Sequence, residues 1–472
     1  MTPPADESIQ PFRIDIPQRD LDDLYERLDN TRWPEEPPGT GWAYGVPLNY
    51  LKELEQYWRH EYDWRAAEAR LNEWPQFTTT IDGANIHFAH VRSPEPGATP
   101  LIITHGWPGS IVEFAEIVGP LSDPRGHRGD PADAFHLVLP SIPGFGLSGP
   151  TREAGWEPRR IAAAFAELMK RLGYPRYGAQ GGDWGAAISR ELGRTHADRF
   201  IGVHLNLLPD SAASSEPDAN ELATLSPAER DRTVASWERS QLWRRDRQGY
   251  ADIQSTKPQT LAYGLTDSPV GQLAWIVEKF KEWTDSQNHP EDAVNLDQLL
   301  TNVMLYWLTA TAGSSGRIYY ERAHSAYWGA PPEPSTAPTA LAVFPRENFI
   351  PLRHIAEQTN TIVQWSEFNR GWALRCDGGT GPADRRHPGL LPQAPRNQPR
   401  LNAIRWSAGE YGSLAWRQVL QGRDEARRML GSQILDPPSP VARSSTIVAP
   451  SRRSRRCPPP AMDFQPARDL YF

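Results

Sequence analysis

The sequence predicts an α/β protein, with a mostly parallel central sheet and helices on both faces. Three observations carry this. Short apolar runs at 101–104, 136–139, 176–180 and 201–206 alternate with amphipathic stretches such as 161–172, where Phe165, Leu168 and Leu172 fall in helical register. Strands separated by helices pair in parallel and are covered on both sides. At 472 residues, 39% hydrophobic and 23% charged, the chain has material for a large core and is not disordered throughout.

Upstream of this pattern, Ile14-Asp15-Ile16-Pro17 leads into a helix through Leu21, Leu24 and Leu28 that ends at Trp33-Pro34. Residues 50–72 read as a second amphipathic helix, with Leu51, Leu54, Tyr57 and Trp58 on one side. Asp82-Gly83 between the strand-like runs 77–81 and 85–91 marks a hairpin. Downstream, residues 207–335 are mostly helical and rich in Trp and Tyr, and read as an inserted cap. The strand pattern resumes at 339–344 and 361–368.

Composition excludes several classes. No apolar run reaches the roughly 18 residues a membrane helix needs, and Met1 to Gln10 lack a signal-peptide pattern. Two cysteines make no disulfide framework, so a reducing, cytoplasmic location is expected. The formal charge of −8 argues against a general nucleic-acid binder. No Gly-rich phosphate loop and no CxxC or HExxH spacing occurs, so neither a cofactor nor a metal is expected.

The average conceals a break. Residues 372–472 hold 16 Arg and no Lys against 8 Asp plus Glu, a net of +8, whereas residues 1–371 carry −16. Both cysteines, Cys376 and Cys457, lie in this Arg- and Pro-rich tail, which shows little periodicity and is expected to be disordered.

Chemistry concentrates in Gln180-Gly181-Gly182-Asp183-Trp184-Gly185, which follows an apolar strand and opens a helix. The small–x–Asp–x–small spacing matches a nucleophile elbow, a sharp strand-to-helix turn that lifts its middle side chain above the sheet edge. A helix N-terminus favours the negative charge of that carboxylate. An N-cap aspartate in an ordinary turn is the commoner fate of such a motif. A second loop, His105-Gly106-Trp107-Pro108-Gly109, follows the first core strand, where this kind of sheet supplies a further backbone N–H. His105 also reads as a packed loop histidine.

Together these segments resemble the microsomal-type epoxide hydrolases, on the α/β-hydrolase fold with a helical cap and an N-terminal meander. The resemblance runs from about Pro11 to Gly371. It includes Phe12-Arg13-Ile14, Thr31-Arg32-Trp33-Pro34, the HGWPGS segment at 105–110, Pro143-Gly144-Phe145-Gly146-Leu147-Ser148 and Gly181 to Gly185. It continues through Tyr250-Ala251-Asp252-Ile253-Gln254, Asp267-Ser268-Pro269-Val270-Gly271, Leu305-Tyr306-Trp307 and Arg317-Ile318-Tyr319-Tyr320. It implies an N-terminal epoxide hydrolase region over 8–110, and a hydrolase core over 111–371 holding the cap at 207–335.

The resemblance also implies roles. Asp183 attacks an epoxide carbon to form an ester, and Tyr250 and Tyr319 donate to the epoxide oxygen from the cap. The N–H groups of Trp107 and Trp184 form the oxyanion hole. Glu347, in Phe344-Pro345-Arg346-Glu347, matches the acid that orients a water-activating histidine. The expected partners are a small-molecule epoxide and water, without nucleic acid or membrane, and a homodimer is one arrangement it allows. Detoxification or aromatic-hydrocarbon catabolism is the implied setting.

One part departs from the pattern. The family carries Gly-Gly-His-Phe-Ala-Ala after its last strand; here Gly371-Trp372-Ala373-Leu374-Arg375-Cys376 follows, with no His near Ala373. His387, the only later one, lies in an unrelated segment. Codons permitted for 371–384, read one base along, permit Gly-Gly-His-Phe-Ala-Ala-Met-Glu-Glu-Pro-Asp-Leu-Leu. A single-base frameshift near Gly371 therefore accounts together for the lost His, the Arg and Pro excess, the absent Lys and the late cysteines. As written, the chain is expected to open epoxides and to hydrolyse the ester slowly or not at all. Two competing readings are a haloalkane dehalogenase-like enzyme, which would need halide-binding Trp or Asn donors, and a non-catalytic binder with a basic tail.

Overall fold

The computed structural model describes residues 8–368. A short strand β1 (Gln10–Phe12) precedes the helix Gln18–Asp29, which buries Leu21, Leu24 and Leu28 as their spacing requires. The single helix expected over 50–72 is instead two, Leu48–His60 and Trp64–Leu71. Asp63 causes the break: its carboxylate accepts the N–H of Ala66 and starts a new helix. Cap chemistry overrides the continuous apolar stripe.

Strands β2 (Gln76–Ile81) and β3 (Ala84–Val91) form the expected hairpin. Asp82 (φ 49°) and Gly83 (φ 77°) both take the left-handed conformation that a two-residue turn of this hand needs. The core strands are β4 (Thr99–Thr104), β5 (Phe135–Pro140), β6 (Tyr177–Gly181), β7 (Phe200–Leu205), β8 (Ser335–Val343) and β9 (Asn360–Glu367). The nine strands form one mixed sheet in the order β1-β2-β3-β5-β4-β6-β7-β8-β9. Pairing is antiparallel from β1 to β5 and parallel from β5 to β9.

Both faces are covered at the centre of the sheet, and β4 and β5 show how. Leu101 and Ile103 of β4 join Leu137 and Leu139 of β5 in one apolar cluster, under the helix Ala115–Ser122. The intervening Ile102 and Val138 point into a second cluster with Ile188 and Leu192 of the helix Trp184–Thr195. Side chains alternate sides along a strand, so a sheet buried twice needs continuous apolar runs.

Helices, with no strand among them, connect β7 to β8. The N-terminal helices tie down onto this segment: Tyr57 donates to Asp297 at 2.8 Å, and the Tyr62 and Thr301 hydroxyls share a hydrogen bond of 2.9 Å. Among the described residues no helix is long and apolar enough to cross a membrane.

For the site, one register matters most. Thr104 of β4 pairs with Gly181 of β6 in parallel, so the two loops that leave these strands emerge side by side.

Candidate active site

Asp183 occupies the turn between β6 and the helix Trp184–Thr195, with φ 49° and ψ −126°. The turn is tight enough to demand its flanking glycines. A Cβ on Gly181 would collide with the Gly185 carbonyl, and one on Gly185 with the Thr104 carbonyl. The bend thus closes onto β4 and sets the Asp183 carboxylate against the neighbouring loop.

That loop meets it with a donor. The Trp107 N–H donates to Asp183 Oδ1 at 2.8 Å, and the Trp184 N–H, at the head of the helix, also hydrogen-bonds the carboxylate. Burial raises the Asp183 pKa to about 6, and these two N–H groups oppose the rise. Near neutral pH the group is therefore ionised while poorly solvated, which suits a nucleophile.

His105 takes the structural role. Its Nε2 accepts the Ile142 N–H at 3.1 Å, which leaves Nδ1 as the donor to the Gly106 carbonyl at 2.9 Å. Burial lowers its pKa to about 4, so it stays neutral and braces the loop.

The helical segment supplies two phenols above this pair of loops. Tyr250 lies in the helix Gly249–Thr256 and Tyr319 in the helix Arg317–Ala323. Both are buried, and their hydroxyls interact with each other and with the charge of Asp183. Burial first, and then nearby groups including the Asp183 carboxylate, hold both pKa values well above the usual phenol value, so both remain protonated donors. The neighbouring Tyr320 is 37% exposed and stacks on His324, away from this cluster.

Ring packing fixes the phenols. Tyr250 stacks on Trp107 with centroids 5.1 Å apart and planes 5° from parallel. Tyr319 stands edge-on to Trp184 at 4.8 Å and to Trp107 at 5.8 Å. Trp283 closes the group against Tyr250 at 5.1 Å. Such pairs contribute about 0.5–1.5 kcal/mol each beyond their buried area. The residues that hold the carboxylate and those that face it are thus one continuous aromatic unit.

Glu347 follows β8 in the turn after Val343 and is buried, not an exposed loop glutamate. Arg239 of the helix Pro227–Asp246 pins this turn by donating to the carbonyls of Pro345 at 3.2 Å and Glu347 at 2.7 Å. The position expected for the histidine, near Ala373, lies outside the described residues.

Two buried groups escaped the sequence reading. Glu113 sits behind the loop at 105–110, where its carboxylate accepts the Gly106 N–H. Burial raises its pKa well above normal, and the Asp183 charge adds to the effect. Lys279, 2% exposed, lies 4.6 Å over the Tyr250 ring and pairs with Glu278 and Glu282. Glu113 stands close behind the loop motif, a position that was itself a usable signal. Nothing local marks Lys279 as buried.

Comparison with known proteins bears on this arrangement. Residues 9–114 match the family described as epoxide hydrolase N terminus, and residues 99–245 match the alpha/beta hydrolase fold. A Stigmatella aurantiaca protein named "Putative epoxide hydrolase" is 46% identical over 367 residues, covering 77% of this chain and 80% of its own. Epoxide hydrolase 1 of Oryctolagus cuniculus is 35% identical over 385 residues, covering 78% and 85%. The crystal structure of juvenile hormone epoxide hydrolase from Bombyx mori matches with a TM-score of 0.67 at 29% identity, over 90% of this chain and 96% of that one. Aspergillus niger epoxide hydrolase also gives 0.67, at 32% identity over 78% and 92%. Similarity of this extent runs through the N-terminal region and the sheet alike, and the chain belongs to the microsomal-type epoxide hydrolases, hydrolases that act on ether bonds.

Proposed function

We propose that Asp183 is the nucleophile of a two-step epoxide hydrolysis. With Oδ1 held by the Trp107 N–H, Oδ2 attacks an epoxide carbon, forming a C–O ester bond as the ring C–O bond breaks. Tyr250 and Tyr319 hydrogen-bond the departing oxygen, and one of them passes it a proton. Water then adds to the ester carbonyl, whose developing charge the Trp107 and Trp184 N–H groups receive. Collapse releases a vicinal diol and restores the carboxylate; of the two protons the water brings, one goes to the departing diol oxygen and the other returns to the tyrosinate. Glu347 would orient the histidine that activates this water.

The single observation that carries this reading is the Asp183 carboxylate, gripped by a backbone N–H at 2.8 Å and faced by two buried phenols. The surrounding Trp107, Trp184, Trp283 and the two tyrosines favour an apolar epoxide bearing an aromatic group, in keeping with hydrocarbon catabolism or detoxification. The scarcity of cysteine supports a cytoplasmic location. A homodimer rests on the family likeness alone, and light scattering tests it.

The second step is impaired in the chain as written. What supports this is the absence of a Gly-Gly-His-Phe-Ala-Ala segment and the changed composition after Gly371. The test is incubation with styrene oxide followed by mass spectrometry. A lasting mass gain of one epoxide on the Asp183 peptide, with little diol, is expected. Rapid diol formation refutes the lost base, and an adduct elsewhere refutes the nucleophile. The gene's nucleotides give a separate check, since no His codon exists in the shifted frame unless Ala373 is encoded by GCA.

A further inference from the structure

The oxyanion loop is held from the helix Leu296–Leu308. Three of its side chains, Gln298, Asn302 and Tyr306, recur every four residues and so share one face. Gln298 Nε2 donates to the Val112 carbonyl at 3.1 Å, Asn302 Nδ2 to Pro108 at 2.7 Å, and the Tyr306 hydroxyl to Gly109 at 2.6 Å. The Pro108 and Gly109 carbonyls lie in the loop, outside any helix or strand, where a buried carbonyl without a donor is costly, whereas the Val112 carbonyl lies in the short 3-10 turn Ile111–Phe114 and also accepts the Ala115 N–H.

The three bonds differ in where they lead. Pro108 C=O and Gly109 N–H belong to one peptide group, and that N–H donates to the Gly106 carbonyl at 3.1 Å. Gly106 C=O and Trp107 N–H belong to a second peptide group, and that N–H donates to Asp183 at 2.8 Å. A continuous line therefore runs from the Asn302 amide through two peptide groups to the carboxylate. Bonds in such a chain polarise one another, by about 10–30% per bond. The bonds from Tyr306 and Gln298 end on carbonyls outside this line.

We propose that Asn302 is a positioning residue that orients and polarises the Trp107 N–H through this relay, and so strengthens the hold on Asp183. The proposal rests on the reading of Asp183 as nucleophile. Asn302 is 3% exposed and its amide Oδ1 has no partner among the described residues. The bond to Pro108 thus fixes which way the amide faces, because the flipped amide would set oxygen against oxygen. Tyr306 and Gln298 brace the loop without feeding the relay.

The test compares Asn302→Leu with Tyr306→Phe in the full chain, following single-turnover ester formation with styrene oxide against pH. Weakening the relay removes an interaction that lowers the Asp183 pKa. The acid limb of the Asn302→Leu profile should therefore move up by roughly half to one pH unit, with ester formation about two- to fivefold slower at pH 6. In Tyr306→Phe the limb should stay in place even if the protein is less stable. The titratable groups facing Asp183 are Glu113 behind the loop, Tyr250 and Tyr319 opposite, and Tyr306. The phenols ionise far above this range, and repeating the profile in Glu113→Gln assigns the limb to Asp183. An unmoved limb in Asn302→Leu, or equal movement in both variants, overturns the relay.

Amide resonances of glycine and tryptophan in the unaltered protein give a measurement that needs neither variants nor turnover. Gly109 N–H, which does not touch Asp183, should titrate with the same midpoint as Trp107 N–H. A Gly109 resonance that stays still while Trp107 titrates overturns the proposal. If no Asp183 adduct forms in the unaltered protein, the nucleophile assignment fails, and these resonances still decide the relay.

Discussion

The two halves of the site are built by different physics. The lower half, the loops after β4 and β6, is held by hydrogen bonds between backbone groups and by turns too tight for a Cβ. The upper half, with Tyr250 and Tyr319, is held by ring against ring. Hydrogen bonds fix a charge to within tenths of an ångström, whereas aromatic packing tolerates small shifts. The difference teaches that geometry is strict where charge is handled and forgiving where an apolar substrate must be admitted.

The most severe way to break the lower half is Asp183→Asn. It keeps the shape and an acceptor for Trp107 while removing the proposed nucleophile. Ester formation should fall by at least about 10⁴-fold in single-turnover mass spectrometry. A smaller loss would mean another group attacks.

The same substitution sharpens the comparison through stability. The folded-state pKa of Asp183, about 6, lies above the ordinary carboxylate value of 3.8. The folded protein thus binds that proton more tightly than the unfolded chain, and stability falls as pH rises between those two values. The loss is on the order of 3 kcal/mol, complete above pH 6. Asp183→Asn should therefore melt higher than the unaltered protein at pH 7–8, with the advantage shrinking toward pH 4. Equal melting across that range would show that the carboxylate is well solvated.

Phenol removal tests the upper half. Tyr250→Phe and Tyr319→Phe should each slow ester formation by about 10- to 100-fold, because the rings remain packed and only one donor is lost. The double variant should be slower than either by a further factor of about ten. If it is no slower than the worse single variant, one phenol acts only through the other. The mildest change lies at the tie between the N-terminal helices and the helix Leu296–Leu308. Tyr62→Phe should cost about 1 kcal/mol in denaturant unfolding and leave ester formation within about twofold.

Legibility in the sequence follows the same division. The Asp183 elbow, its partner loop and the Asp82-Gly83 hairpin are local, written in glycines and turn residues, and they read directly. Tyr250 and Tyr319 became readable only through resemblance, since no spacing tells a catalytic phenol from a packed one. β1 was missed because three residues carry no period and its pairing with β2 is distant in sequence. The helix break at Asp63 was missed because the apolar stripe runs on through it. Lys279 and the relay from Asn302 depend on what lies opposite in space, and a single chain of letters does not state that.

The backbone of Asp183 has one more consequence. At φ 49° and ψ −126° a side chain of any kind is held where glycine alone rests easily, at a cost of roughly 1–3 kcal/mol. Glycine at this position would relax the bend and give a sturdier, inert protein. The strain stored at this bend is thus the cost of holding a carboxylate where the proposed chemistry needs one.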